Sequence, residues 1–383
     1  MMKSKVLILV LALIIAGYGA FKLFGERLVR KQSKINLSEL GLSFPDGFKF
    51  EVISEHVPGA RVMALGGDGN IWVSQTSEGK ISKIIQGSPA RVEEVMTGLK
   101  NPHGIAFDPS DAKILYYAEE IAISRVNIDN PATRTKIADL PPGGRHVTRT
   151  IGFGPSDKLY VSIGSTCNVC HEENEYHGKI FSLNKDGSNM EEEARGLRNA
   201  VFFNWSDLDG KMWATEMGRD GLGDELPPDE VNVIETGKNY GWPTCFGNNV
   251  HDNEFDKNTY IRNPCDEQFG EVPAKVDLPA HSAPLGIDFI PEEGWPEEYW
   301  YDAIVALHGS WDRSEPRGYK LIRIDLDDKG NYLGTYDFIS GWLKDGKING
   351  RPVDILIQPG GTMYISDDHA GAVYKIGLID QPY

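Results

Sequence analysis

The sequence predicts an all-β chain folded as a six-bladed β-propeller, and three observations predict it. One phrase returns six times: an apolar strand, a Gly/Asp/Pro turn, a second apolar strand, then in several copies a third strand opened by glycine. Each copy is a short antiparallel sheet that cannot bury both faces alone, so the copies must stack around an axis. The 383 residues supply six blades of roughly 40 to 50 residues, and no Gly/Ser-rich or Pro-rich linker divides the repeats.

The first copy runs from Ala64 through Gly66-Gly-Asp-Gly69 to Val73, with Gly79–Ile84 as its third strand. The second pairs Gly104–Pro109 with Ile114–Tyr117. The third pairs Ile151–Pro155 with Leu159–Ser162 and Gly178–Phe181. Ala200–Phe203 with Met212–Ala214 makes the fourth, and Gly286–Phe289 with Ala303–Ala306 the fifth. Val353–Leu356, Thr362–Ser366 and Gly371–Ile376 complete the sixth. Propellers bind at the mouth of the central channel, so function is expected in the loops between the strands.

The propeller is expected to fill residues 36–383, with residues 1–35 outside it as a signal or anchor helix and tether. Lys3 and Lys5 precede the uncharged apolar run Val6–Phe21. Small residues near its end, Ala16-Gly-Tyr-Gly-Ala20, fit a cleaved signal peptide. The lack of a clean Ala-x-Ala site favours an uncleaved anchor, with Leu23 and Phe24 extending the run past a snorkelling Lys22. Both readings place the propeller outside the cytoplasmic membrane, exported or periplasmic, tethered by the basic stretch from Arg27 to Lys34. A formal net charge of -17 argues against a nucleic-acid partner, whose phosphates need a basic patch, and suits a protein that holds a cation. The four cysteines of an exported chain suggest two disulfides, with local pairing of Cys167 to Cys170 and Cys245 to Cys265 expected among three connectivities. Cys167-Asn-Val-Cys170-His171 also matches the attachment pattern of a c-type haem, but it abuts a propeller strand instead of opening a helical cytochrome unit.

Three segments carry candidate chemistry. The Gly-rich loop Pro141–Thr150 delivers Arg145, His146 and Arg149 just before a strand. A histidine there accepts a proton near neutral pH, and the flanking cations suit an anionic cofactor or substrate. Arg198 and Asn199 stand at the next strand entrance, a forked cation and an amide able to polarise a carbonyl oxygen. Glu216–Glu230 then combines carboxylates with glycines that let the backbone curl, offering the carboxylate and carbonyl oxygens that a hard cation such as calcium takes, though without EF-hand spacing. His281, His308, Arg313, Arg317, Arg351 and Asp354 recur at similar points of later blades. Taken singly, each of these residues has an ordinary structural role as its alternative: a surface loop, an interblade salt bridge or a satisfied histidine.

Together these motifs resemble the glucose/sorbosone dehydrogenase family of quinoprotein sugar dehydrogenases, and most of all its sorbosone and pyranose dehydrogenase branch. The carriers are Gly143-Gly-Arg-His-Val-Thr-Arg-Thr150, Gly164-Ser-Thr-Cys-Asn-Val-Cys170, Gly196-Leu-Arg-Asn199 and Gly218–Glu230. Tyr240-Gly-Trp-Pro243, His308-Gly-Ser-Trp311 and Gly350-Arg-Pro-Val353 follow in the same order. The resemblance implies pyrroloquinoline quinone (PQQ) and calcium as cofactors, and a sugar or sugar aldehyde as substrate. It also implies an electron acceptor, a cytochrome or a quinone. It casts His146 as the base that takes the substrate hydroxyl proton, Arg198 as the arginine on the quinone carbonyl, and Asn199 as its cofactor-binding neighbour. The carbonyls of Gly218 and Arg219, with Asp220, are implied as calcium ligands, and Arg351 as a cofactor contact. The chain departs from the glucose branch where Val353 replaces a second arginine and where a cofactor lysine is missing. His308, Arg313 and Arg317 are the candidates to compensate. A calcium-dependent hydrolase of the lactonase type and a non-catalytic, partner-binding propeller are the competing readings.

Overall fold

The computed structural model of the chain describes residue 35 and residues 40–379, residue 88 excepted. The leader, with its signal, anchor and tether readings, lies outside the described residues. Among the described residues no helix is long and apolar enough to cross a membrane.

Six blades of four antiparallel strands surround a channel, the third carrying a short fifth strand paired in parallel at its outer edge. Blades one to five are consecutive in sequence, and each opens on one strand: Ala60–Leu65, Ile105–Asp108, Ile151–Phe153, Ala200–Trp205 and Pro284–Phe289. The sixth blade is assembled from both ends of the propeller. Pro352–Gln358, Thr362–Asp367 and Ala372–Leu378 come from its C-terminal end, and Phe48–Ser54 adds the outer strand from the N-terminal end. This closure removes the free edge that an open ring would leave to aggregate. The opening strands of neighbouring blades touch one another around the axis and so line the channel.

Burial follows strand position. Second strands such as Ile71–Gln75 and Ala303–Leu307 are buried at every residue because a blade covers each face. Outer strands such as Arg91–Met96 are largely exposed. Four successive blade interfaces share one device: an aromatic ring on a second strand meets, edge to face, a ring on the next opening strand. The pairs are Trp72–Phe107, Tyr116–Phe153, Tyr160–Trp205 and Trp213–Phe289, with centroids 5.7, 5.1, 5.1 and 5.9 Å apart. Such pairs add about 0.5–1.5 kcal/mol each beyond their buried area. At the last two interfaces a carboxylate does the joining. Asp288 accepts the Ile357 amide and Asp354 accepts the Met63 amide, each at 2.7 Å.

Phe50 anchors the closing strand. Its buried ring lies 5.3 Å from Tyr374 and 6.3 Å from Trp342. Phe50→Ala is expected to cost about 3 kcal/mol or more, since a large aromatic is removed where three rings meet. Chemical denaturation of the propeller reads the loss, and a cost below about 1 kcal/mol would contradict an anchoring role for this strand.

Candidate active site

Antiparallel pairing brings the entrance of every opening strand and the exit of every second strand to the same end of the channel. That end gathers His103, Thr150, Asn199, Ala283 and Arg351 from the entrances, and Gly164, Met217, His308 and Asp368 from the exits. Between the loops of the third, fourth and fifth blades lies a cavity of about 210 Å³, lined in part by Arg145, His146, Arg198, Asn199, Asp220 and Trp311.

His146 is delivered by a loop that its own arginine holds rigid. Arg149 is fully buried, and its guanidinium donates to the carbonyls of His146 and Thr148 at 2.9 Å and of Pro141 at 3.2 Å. Glycine makes room for the histidine. A Cβ at Gly164 would stand 2.7 Å from both the His146 Cβ and the Asn199 Oδ1. His146 Nδ1 lies 2.9 Å from the Ser165 carbonyl oxygen, which can only accept, so Nδ1 carries the proton and Nε2 keeps its lone pair. Burial, joined by the charges of Arg198, Arg145 and Arg149, lowers the imidazole pKa to about 3. The ring is therefore neutral throughout the physiological range. Nitrogen NMR of the ligand-free protein should find a neutral ring protonated at Nδ1 at about pH 6, below the ordinary histidine value. A charged ring there would contradict this environment.

Arg198 is only 4% exposed, and its fork is spread over three partners. Nε donates to the Asn168 carbonyl at 2.8 Å, Nη1 to the Met217 carbonyl at 3.2 Å, and Nη2 to the Asn168 side-chain oxygen at 2.9 Å and to Asp220 at 3.3 Å. Asn199 is placed by its own backbone amide, which donates to Glu216 at 2.9 Å.

The Gly218–Asp220 turn is gripped from both sides. The Gly218 amide donates to Asp229 at 2.9 Å, while the Arg219 guanidinium forks onto Asp252 at 2.5 and 2.8 Å. Asp220 takes Arg145 at 2.6 Å. Among the described residues no donor reaches the Gly218 or Arg219 carbonyl, so both oxygens are free for a hard cation. Oxygen or nitrogen ligand atoms of Asp220, His281 and Asp312 lie within 4.8 Å of one another. His281 and Ala283 are held at φ of +61° and +53°, left-handed conformations that store strain at this rim.

His308 and Arg351 belong to a second cluster, at the fifth, sixth and first blades. His308 Nε2 donates to Asp368 at 2.9 Å, and burial keeps the ring neutral, with a pKa of about 4. Against the cost of burial, hydrogen bonds from His308 and the charge of Arg61 hold Asp368 below the usual carboxylate range. Arg61 pairs with Asp368 at 2.9 Å, and Arg351 donates to the His308 and Gly309 carbonyls at 3.2 and 2.9 Å. His103 is completely buried beneath Arg61, its Nδ1 3.2 Å from the Thr150 hydroxyl.

Of the residues expected at the cofactor, His308 and Arg351 stand in the second cluster, and Arg149, Arg313 and Arg317 are likewise not brought to the cavity. Arg149 is consumed inside its loop. Arg313 bonds the Asp224 carbonyl and Glu225, and Arg317 also reaches Glu225, at 3.2 Å, because the acidic loop offers the nearest countercharge. Arg61, His103 and Asp368 were missed from the sequence. Arg61 opens its blade much as Arg351 opens the sixth, and that equivalence was the available signal. A disulfide joins Cys167 to Cys170, and another joins Cys245 to Cys265. The first lies in the segment whose Asn168 holds Arg198. The second ties an excursion of the fourth blade that rises beside the third, pairing Lys238–Asn239 with Ala194–Arg195.

The fold and this mouth define a six-bladed propeller in which a neutral histidine, a buried arginine, Gly218 and Asp220 line one cavity. The chain belongs to the TrAA12-like family, whose model matches residues 42–378. An uncharacterised protein of Borreliella burgdorferi is 32% identical over 352 residues, covering 88% of this chain and 90% of its own. Quinoprotein glucose dehydrogenase B of Acinetobacter calcoaceticus is 24% identical, covering 88% of this chain and 89% of its own. Among solved structures, a calcium structure of the Trichoderma reesei carbohydrate-active enzyme of family AA12 superposes with a TM-score of 0.75 at 19% identity, covering 88% of this chain and 97% of its own. The holo PQQ domain of pyranose dehydrogenase from Coprinopsis cinerea gives 0.73 at 19% identity, with the same coverage. The resemblance to sugar dehydrogenases carried by the sequence motifs agrees with these relatives.

Proposed function

We propose that this chain is an exported, PQQ- and calcium-dependent dehydrogenase of sugars or sugar aldehydes, passing electrons to a cytochrome or quinone. One observation carries the reading: His146, its Nδ1 tied to the Ser165 carbonyl and its Nε2 left unprotonated, lines the same cavity as Arg198, Gly218 and Asp220. The relatives named for PQQ and for sugar oxidation support it.

The residues present fit both cofactors. PQQ is a tricarboxylate and needs cations. Arg145, Arg198 and, from the second cluster, Arg351 supply them in a protein that is acidic overall. Calcium prefers oxygen ligands, and Gly218, Arg219 and Asp220 provide carbonyls and a carboxylate. When bound, the pair supplies a two-electron oxidant with a Lewis acid beside it.

The chain's own part is positioning and proton transfer. His146 Nε2 accepts the proton of the substrate hydroxyl as the C–H bond gives up its hydride. The Ser165 carbonyl, already holding Nδ1–H, stabilises the imidazolium that forms. In the ligand-free protein burial, joined by the charges of Arg198, Arg145 and Arg149, suppresses this basicity. Arg145 and Arg198 would face an anionic cofactor bound in this cavity, and partial neutralisation of their charge would favour the imidazolium. Arg149 acts through His146, by fixing its loop. Calorimetric titration of residues 36–383 with PQQ tests the reading: tight binding that calcium strengthens is expected, and no binding in either condition would overturn it.

A further inference from the structure

Trp311 has no role in the chemistry described so far, yet the fold goes to unusual lengths to display it. Its side chain is 68% exposed, whereas Trp72, Trp213 and Trp342 are among the most deeply buried side chains of the propeller. A large aromatic left in water at the rim of a polar cavity marks a surface for a ligand. Its backbone, by contrast, is fixed on both sides. The Ser310 amide donates to the Arg317 carbonyl at 2.9 Å, and the Tyr319 hydroxyl to the Ser310 carbonyl at 2.7 Å. Asp312 accepts the Gly221 amide at 3.2 Å, and Arg313 bonds across to the Asp224 carbonyl. The ring is therefore presented by a pinned loop.

The ring also has a neighbour that orients it. The Arg145 guanidinium lies 5.6 Å from the indole centroid, and Asp220 holds that guanidinium at 2.6 Å. Trp311 thus stands at the cavity that contains His146, with an ion pair beside it.

We infer that Trp311 is the platform on which a substrate sugar ring stacks, and that it selects cyclic sugars over short open-chain aldehydes. This rests on the proposed sugar oxidation at the same cavity. A pyranose carries an apolar C–H face and a rim of hydroxyls. The indole suits the first, and the imidazole, guanidinium and carboxylate of the cavity suit the second. A short aldehyde has no ring face to stack, and its binding owes nothing to the indole. The contact is present in ground state and transition state alike, so its loss raises KM and leaves kcat alone.

The test compares wild type, Trp311→Ala and Trp311→Phe, each loaded with PQQ and calcium, on an aldopyranose and on glyceraldehyde. Trp311→Ala is expected to raise KM for the pyranose about 10-fold with kcat within about 2-fold. KM for glyceraldehyde and the PQQ affinity from titration should not change, and Trp311→Phe should recover most of the pyranose KM. An unchanged pyranose KM overturns the stacking role while leaving sugar oxidation intact. So does weaker PQQ binding with unaltered sugar discrimination, which would make the indole a cofactor contact. A loaded wild-type protein that oxidises no sugar overturns both readings together.

Discussion

His146→Ala lowers kcat by about 100-fold or more while leaving PQQ affinity little changed. The expectation follows from where the ring sits. Nδ1 is tied to the Ser165 carbonyl, and Nε2 is the free basic atom at the cavity. Removing the ring removes the proton acceptor but none of the guanidinium groups that would bind the cofactor. His146→Gln separates base chemistry from packing, since it fills similar space without a basic nitrogen, and it should be as slow as the alanine variant. Turnover measured at saturating PQQ and calcium, beside a calorimetric titration, reads both effects. Near-normal turnover in either variant would exclude His146 as the base.

Arg198→Ala has the second large effect, and it strikes binding and turnover together. The guanidinium holds the Asn168 and Met217 carbonyls, and it shares Asp220 with Arg145. Its removal strands buried acceptors and leaves Asp220 with less countercharge beside the Gly218 and Arg219 carbonyls. PQQ affinity should fall by at least about 100-fold, the scale on which a buried charged partner is lost. Arg198→Lys keeps the charge but cannot fork to three partners, so it should bind PQQ better than the alanine variant and still fall short of wild type. Circular dichroism confirms that each variant is folded. A folded alanine variant with unaltered PQQ affinity and turnover would place Arg198 outside the site.

The inner strands were legible because each is covered on both faces and so reads as an unbroken apolar run, as Ala303–Leu307 does. Outer strands such as Arg91–Met96 carry little pattern, because they face water. The closing strand Phe48–Ser54 pairs with Ala372–Leu378, a partner at the far end of the chain that no local periodicity announces. At the mouth, His146 and Arg198 could be read because each sits directly before an opening strand inside a longer motif. Arg313 and Arg317 carried the right charge, but their orientation depends on Glu225, a contact between loops about ninety residues apart. Arg61 was hidden for the opposite reason: it stands alone in its segment, and only the ring of blades brings it to Asp368.

The most direct measurement is dye reduction by residues 36–383 with a panel of aldoses, ketoses and sugar aldehydes, with PQQ and calcium each present or absent. Sugar oxidation that appears only when both are present is the predicted result, and it should vanish on chelation and return with calcium. Binding of PQQ without oxidation of any sugar, or oxidation indifferent to both cofactors, would contradict a quinoprotein dehydrogenase at this mouth.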